Sequence, residues 1–220
     1  MTHAYAKAYL EKARSALGRM LDFAVYDLKY DITIFFELFI ASGIARAFEQ
    51  GDYRYTVGMS GVEMAYEVIR LSQGRFCDVK PRFTQNRSQE YWTGWALAYY
   101  QWSTALPFRE ITRYVPITEI KGLYEPYHEM DIRQFVERMD TLYRHAKPDT
   151  NLKTIRKRRN IAQKELAELS GVPLRTIQQY EQRQKDINKA HADTLLNLAS
   201  ALDCEVRELL ERPESGGNMV

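Results

Sequence analysis

Leu174, Arg175, Gln178 and Gln179 fall within six residues of one another, at a spacing that puts them on one face of a helix. An arginine can donate a bidentate pair to the O6 and N7 of guanine, and a glutamine amide can donate to and accept from an adenine edge. Leu174, next to Pro173, can offer an apolar contact to a thymine methyl. The chemistry implied is hydrogen-bond reading of base edges in the major groove of double-stranded DNA. Bond-making chemistry has no comparable signal. The chain holds no Gly-rich phosphate loop, no nucleophile elbow and no metal-ligand spacing. His128, Glu129 and Asp131 are possible ligands, but neighbours on a helix point apart, and Asp131 reads better as the cap of the next helix. The expectation is a non-enzyme with no metal and no cofactor.

A reading face must be held out from a body, and the residues around it have the pattern for that. Residues 163–181, QKELAELSGVPLRTIQQYE, have the spacing of two short helices joined at a tight turn. Leu166, Ala167, Leu169, Val172, Ile177 and Tyr180 mark inward positions, and Gly171 stands where a left-handed residue is wanted. The small Ala167 allows close approach of the second helix, while Val172 and Ile177 seat it against the first. Ala162 and Pro173 precede the two helices, so both starts lack a side-chain cap, at about 1 kcal/mol each. Proline at least brings no unsatisfied N–H to that position.

With these residues in view, the stretch 152–211 resembles the Cro/cI helix-turn-helix family, also called Xre. Gln163, Ala167, Gly171, Val172, Ile177 and the adjoining Tyr180 and Glu181 carry the likeness, with LKTIRKRRN before them and DTLLNLASALDCEVRELLE after. Ala162 and Pro173, in place of polar caps, and Asp203, in place of a glycine after the fourth helix, depart from the family pattern. The resemblance implies an all-α fold, a five-helix, lambda-repressor-like DNA-binding domain over 152–212. It implies a homodimer on an inverted-repeat operator, and a structural pair of Arg156 with Glu181. Lys157, Gln163, Arg183 and Lys185 are assigned to phosphates, which position the protein without specifying sequence.

Length leaves room for a second domain, placed at 1–145, with a linker at 146–151 and a flexible tail at 213–220. The net charge of +2 hides an asymmetry: 152–212 holds 12 Lys and Arg against 9 Asp and Glu, whereas 1–151 holds 19 of each. Cys77 and Cys204 stand singly and far apart, which excludes a disulfide scaffold and implies a reducing compartment. No apolar run approaches the ~18 residues of a membrane span, and a cytoplasmic protein is expected.

Before the linker the pattern is that of a helical bundle. Helices are expected over 4–26 and over 28–50, the second central to the bundle. A third starts at Ser60 with Glu63 in a capping box, and others follow from Ser88, from Pro107 and from Asp131. Residues 73–87 carry four basic groups without a period and read as an exposed loop that could touch nucleic acid. Tyr91, Trp95, Ala98 and Trp102 form an aromatic stripe, which is either core or a partner-binding groove built on Tyr91, Trp95 and Trp102. The stretch 107–124 faintly echoes a second helix-turn-helix, although an ordinary helical hairpin has the same spacing.

The function expected is a sequence-specific transcriptional regulator, with the N-terminal domain used for dimerisation, response or partner binding. Members of the resembled family commonly repress their own operon as antitoxins, so a cognate toxin is the first specific partner. A ligand-responsive or phage-type repressor is the alternative, followed by an enzyme with an autoregulatory DNA-binding domain.

Overall fold

Every regular element among residues 3–82 and 87–211, the part described by this computed structural model, is helical. The expected tail at 213–220 lies outside those residues. The chain forms two units, Met1–Ala146 and Lys147–Val220. The first contains α1 (Leu10–Tyr26), α2 (Ile32–Ala41), α3 (Ile44–Glu49), α4 (Gly61–Gln73), α5 (Gln89–Thr104), α6 (Phe108–Tyr114), α7 (Ile117–Gly122), α8 (Tyr124–Tyr127) and α9 (Ile132–Ala146).

Its central pair is α1 and α5, not the segment 28–50. Two glycines explain why. A Cβ built on Gly94 would lie 2.6 Å from the carbonyl oxygen of Leu17, and one on Gly18 would lie 2.7 Å from that of Tyr91. The backbones therefore touch, and Ala13, Leu17, Ala98 and Leu97 fill the rest of a seam that excludes water. Gly94→Ala tests this. Helix propensity alone would favour alanine by about 1 kcal/mol. Backbone atoms of Leu17 cannot move aside as a side chain could, and overpacking at about 1–3 kcal/mol should win. A lower unfolding midpoint in tryptophan fluorescence is the expected result; a raised one would show the close approach to be wrong.

The segment 28–50 is two helices. Asp31 caps α2 through Thr33 N at 2.8 Å and Ile34 N at 3.2 Å. The helix then stops at Ser42, and Gly43 turns the chain with φ +80. Continuous apolar character hid that break, because Ile40 and Ile44 remain in phase with either reading. Ser60 and Glu63 form the capping box that opens α4, and Ser88 Oγ accepts from Tyr91 N to open α5.

In the hairpin of α6 and α7, Ile111, Val115, Ile117 and Ile120 are buried. The outward side of α7 carries Glu119, and Lys121 is bound to the buried Glu90 at 2.9 Å. An acidic outer face and a neutralised lysine do not suit a DNA-reading helix, so the echo of a second one is packing. Among the described residues no group of His, Cys, Asp and Glu could hold a metal. Asp131 instead accepts from Arg133 N at 2.9 Å, in the turn before α9.

The second unit contains α10 (Asn151–Arg158), α11 (Gln163–Ser170), α12 (Leu174–Glu181), α13 (Ala192–Leu202) and α14 (Val206–Leu209). Thr150 caps α10 through Lys153 N. Leu152, Leu166, Val172, Ile177, Leu198 and Leu202 are its main core residues. Leu169 is a correction: it is 60% exposed, because Leu166 and Ser170 take the inward stripe of α11 and Leu169 falls beside it. Gly171 has φ +69, the left-handed turn between α11 and α12. Asp203 takes the same region, φ 48, after α13. Aspartate tolerates that conformation better than most residues, and here Arg159 Nη2 donates to its carbonyl oxygen at 2.6 Å.

Candidate nucleic-acid interface

The site is built from the end of α12 backwards. Glu181 closes that helix and is buried, and a buried carboxylate must be paired and hydrogen-bonded to be tolerated. Arg156 of α10 supplies both, with Nε donating to Oε1 at 2.6 Å and Nη2 donating to Oε2 at 2.9 Å. The hydrogen bond to Glu181 raises the pKa of Arg156 against the desolvation that would lower it. Arg156 Nη1 also donates to the carbonyl of Ile161 at 2.7 Å, which ties the turn before α11 into the same cluster. Gln163 completes it, with Nε2 donating to Glu181 Oε2 at 2.6 Å.

Three helices are thus pinned at one point. α10 gives Arg156, α11 gives Gln163, and α12 gives Glu181. The consequence is a fixed orientation for α12, whose inner side buries Ile177 and Tyr180. Its other side holds Arg175, exposed, with Leu174, Gln178 and Gln179 half-exposed. The side chains of Arg175, Gln178 and Gln179 make no hydrogen bond with other described residues. Donors and acceptors left to water on a rigid helix are what a base edge can exchange for.

Both α11 and α12 start without a side-chain cap, at Ala162 and Pro173. Glu165 reaches back to Ala162 N at 3.3 Å, so only half of a capping box exists. First-turn amides left uncapped can accept an anion instead.

The residues assigned to phosphate are not alike. Lys185 is exposed, on the loop after α12. Gln163 has its amide on Glu181, which leaves its main-chain N–H as the group able to meet a phosphate. Lys157 Nζ is 2.8 Å from Asp149, which also binds Lys153 at 2.7 Å, and these two lysines hold the Asp149 carboxyl below its usual pKa. Arg183 Nη1 donates to the carbonyl of Pro148 at 2.9 Å, and Nη2 lies 3.3 Å from Glu211. Lys157 and Arg183 therefore converge on residues 148 and 149, where they hold the entry to α10. Sequence reasoning missed Asp149. Lysines four and eight residues after it were the available signal.

The aromatic candidates lie in the other unit, and their faces are covered. Trp102 is buried, stacked on His3 with centroids 3.7 Å apart, and its Nε1 donates to the carbonyl of Tyr5 at 2.8 Å. The guanidinium of Arg14 lies 3.4 Å over the Trp95 ring, and that of Arg87 lies 4.7 Å over Tyr91. Of the expected stripe on α5, Ala98 and Trp102 are buried and Tyr91 and Trp95 are half-buried, while Trp92, Ala96, Leu97 and Tyr100 beside them are buried as well.

Residues 152–209 match the family model described as helix-turn-helix, and this C-terminal region is of the Cro/cI type. No curated protein and no solved structure matches the chain. No described helix is long and apolar enough to cross a membrane.

Proposed function

We propose that this protein is a sequence-specific regulator of transcription that binds duplex DNA as a homodimer in the cytoplasm, with α12 in the major groove of each half-site. The match of 152–209 to a DNA-binding family supports the general role. The observation that carries the specific one is the outward face of α12, polar and unengaged, on a helix pinned through Glu181. Arg175 and Gln179 are assigned to base edges, Gln178 and Leu174 to flanking contacts, and Lys185 to phosphate.

The full chain tests this through a binding selection from randomised duplexes. An inverted repeat with half-sites about one helical turn apart is expected. Lys185→Ala should then weaken every selected site alike and reduce the slope of log affinity on log salt by about one. Failure to enrich any sequence would sink the proposal, and an altered site preference at unchanged salt slope would sink the role given to Lys185.

Within that role, an autorepressing antitoxin is the first specific reading, with the N-terminal unit binding a toxin. Of Tyr91, Trp95 and Trp102, the last is buried, and a guanidinium lies over each of the other two rings, which are half-buried. A different observation favours the ligand-responsive repressor as a second reading: a surface pocket of about 410 Å³ between α2 and α6, lined by Glu37, Ile40, Ala41, Arg109, Thr112 and Arg113. Opposed charges over an apolar floor suit a small amphiphile carrying a carboxylate.

A further inference from the structure

The segment 74–82 leaves the end of α4, and the body of the N-terminal unit holds it at two places. Tyr66 OH donates to the carbonyl of Val79 at 2.6 Å. Farther along, Arg82 N donates to Asp27 at 3.0 Å, and Arg19 donates to the carbonyl of Arg82 at 3.3 Å. The Asp27 side chain is 3% exposed, so a buried carboxylate is committed to this attachment. Between α4 and Val79 the chain projects with Phe76 94% exposed, and Leu71 and Val79 are also exposed. Single exposed apolar residues are ordinary. A phenyl ring held out by a strap fastened to the body, with cations on both sides, is a different case.

The charges are sorted by exposure. Asp22 and Asp27 are turned inward, onto Arg19, Ser88 and the strap backbone. What faces solvent is Arg75, Lys80 and Arg82 against Asp78 alone. Arg75 and Lys80 have no ion-pair partner among the described residues. Exposed cations before and after an exposed ring along the strap match the two needs of an unpaired strand, phosphate neutralisation and a platform for a base. A duplex could take such a ring only by unstacking a base step, at a cost of a few kcal/mol that an unpaired strand does not incur.

We propose that the strap 74–82 is a second nucleic-acid contact that takes a single strand, DNA or RNA, with a base stacked on Phe76 and phosphates on Arg75 and Lys80. This contact is separate from the reading face of α12, and the two are separable by substitution.

The test measures binding of the full chain to short, labelled, mixed-sequence single strands of DNA and of RNA, beside a mixed-sequence duplex. Phe76→Ala should weaken single-strand binding about tenfold, while duplex binding stays within about twofold of wild type. Arg75→Ala with Lys80→Ala should lower the single-strand salt slope by about 1.4. Phe76→Trp should keep affinity and add fluorescence quenching on single-strand addition beyond that of the wild-type tryptophans, a signature that a purely structural role would not produce. Arg175→Ala should leave single-strand binding unchanged. The DNA and RNA arms tell which strand is preferred. Three outcomes each overturn the proposal: single-strand affinity unchanged by Phe76→Ala, loss of single-strand binding with Arg175→Ala, or binding of the wild type to phosphatidylserine–phosphatidylcholine vesicles but to neither strand.

Discussion

Glu181→Ala is expected to destabilise the C-terminal unit by about 3–5 kcal/mol, the usual cost of breaking a buried ion pair from one side. The Glu181 side chain is 1% exposed and accepts from two nitrogens of Arg156 and from Gln163. Removing it leaves a guanidinium in a site built for a neutral pair. The loss of a few methylenes of packing could not produce a change of that size at a helix end, so the magnitude separates the two causes. Arg156→Met combined with Glu181→Leu should cost much less than Glu181→Ala, because it removes both charges and keeps the volume. All three tryptophans are in the N-terminal unit, so their fluorescence follows that unit, whereas far-ultraviolet circular dichroism follows both. The expected result is an early loss of helix by circular dichroism without a matching fluorescence change. A Glu181→Ala protein within about 1 kcal/mol of wild type would mean that the pair does not form as described.

The same cluster shows how far the residues could be read before the fold. Helices α11 and α12 were legible because their signals are local: an apolar period, a glycine in the left-handed region and a proline at a start. Leu169 was misplaced because an apolar residue beside the inward stripe looks like part of it, and only the position of α13 decides between Leu169 and Ser170. Gln163 was assigned to phosphate by its place at a helix start. Its bond to Glu181 depends on two helices meeting, and no spacing along the chain records that. In the N-terminal unit the density of Phe and Ile over 28–50 suggested a central helix, yet centrality went to α1 and α5. Gly18 and Gly94 were the deciding residues, and a glycine within a helix signals close approach only when the facing glycine is known. On α5 the stripe through Ala98 and Trp102 is buried, but Trp92 and Tyr100 beside it are buried too, because apolar residues cover so much of that helix that the period has little contrast.

The reading face itself carries the second large effect. Arg175→Ala and Gln179→Ala should each relax base preference at one position per half-site, by about 1–3 kcal/mol of discrimination, which is roughly 5- to 150-fold in relative affinity. Gln178 is expected to matter less, as the glutamine assigned to a flanking contact rather than to a base edge. None of the three side chains is hydrogen-bonded among the described residues, so truncating one should leave stability within about 0.5 kcal/mol and let specificity be read without a folding correction. The measurement is a selection from randomised duplexes run in parallel with wild type and the two variants, with unfolding midpoints as control. In a symmetric dimer each substitution acts twice, so lost preference must appear at symmetry-related positions in both half-sites. Loss at one half-site only would argue against the homodimer while keeping the reading face. If both variants select the wild-type motif, α12 does not read bases, and the sequence preference would have to come from DNA shape sensed through the phosphate contacts.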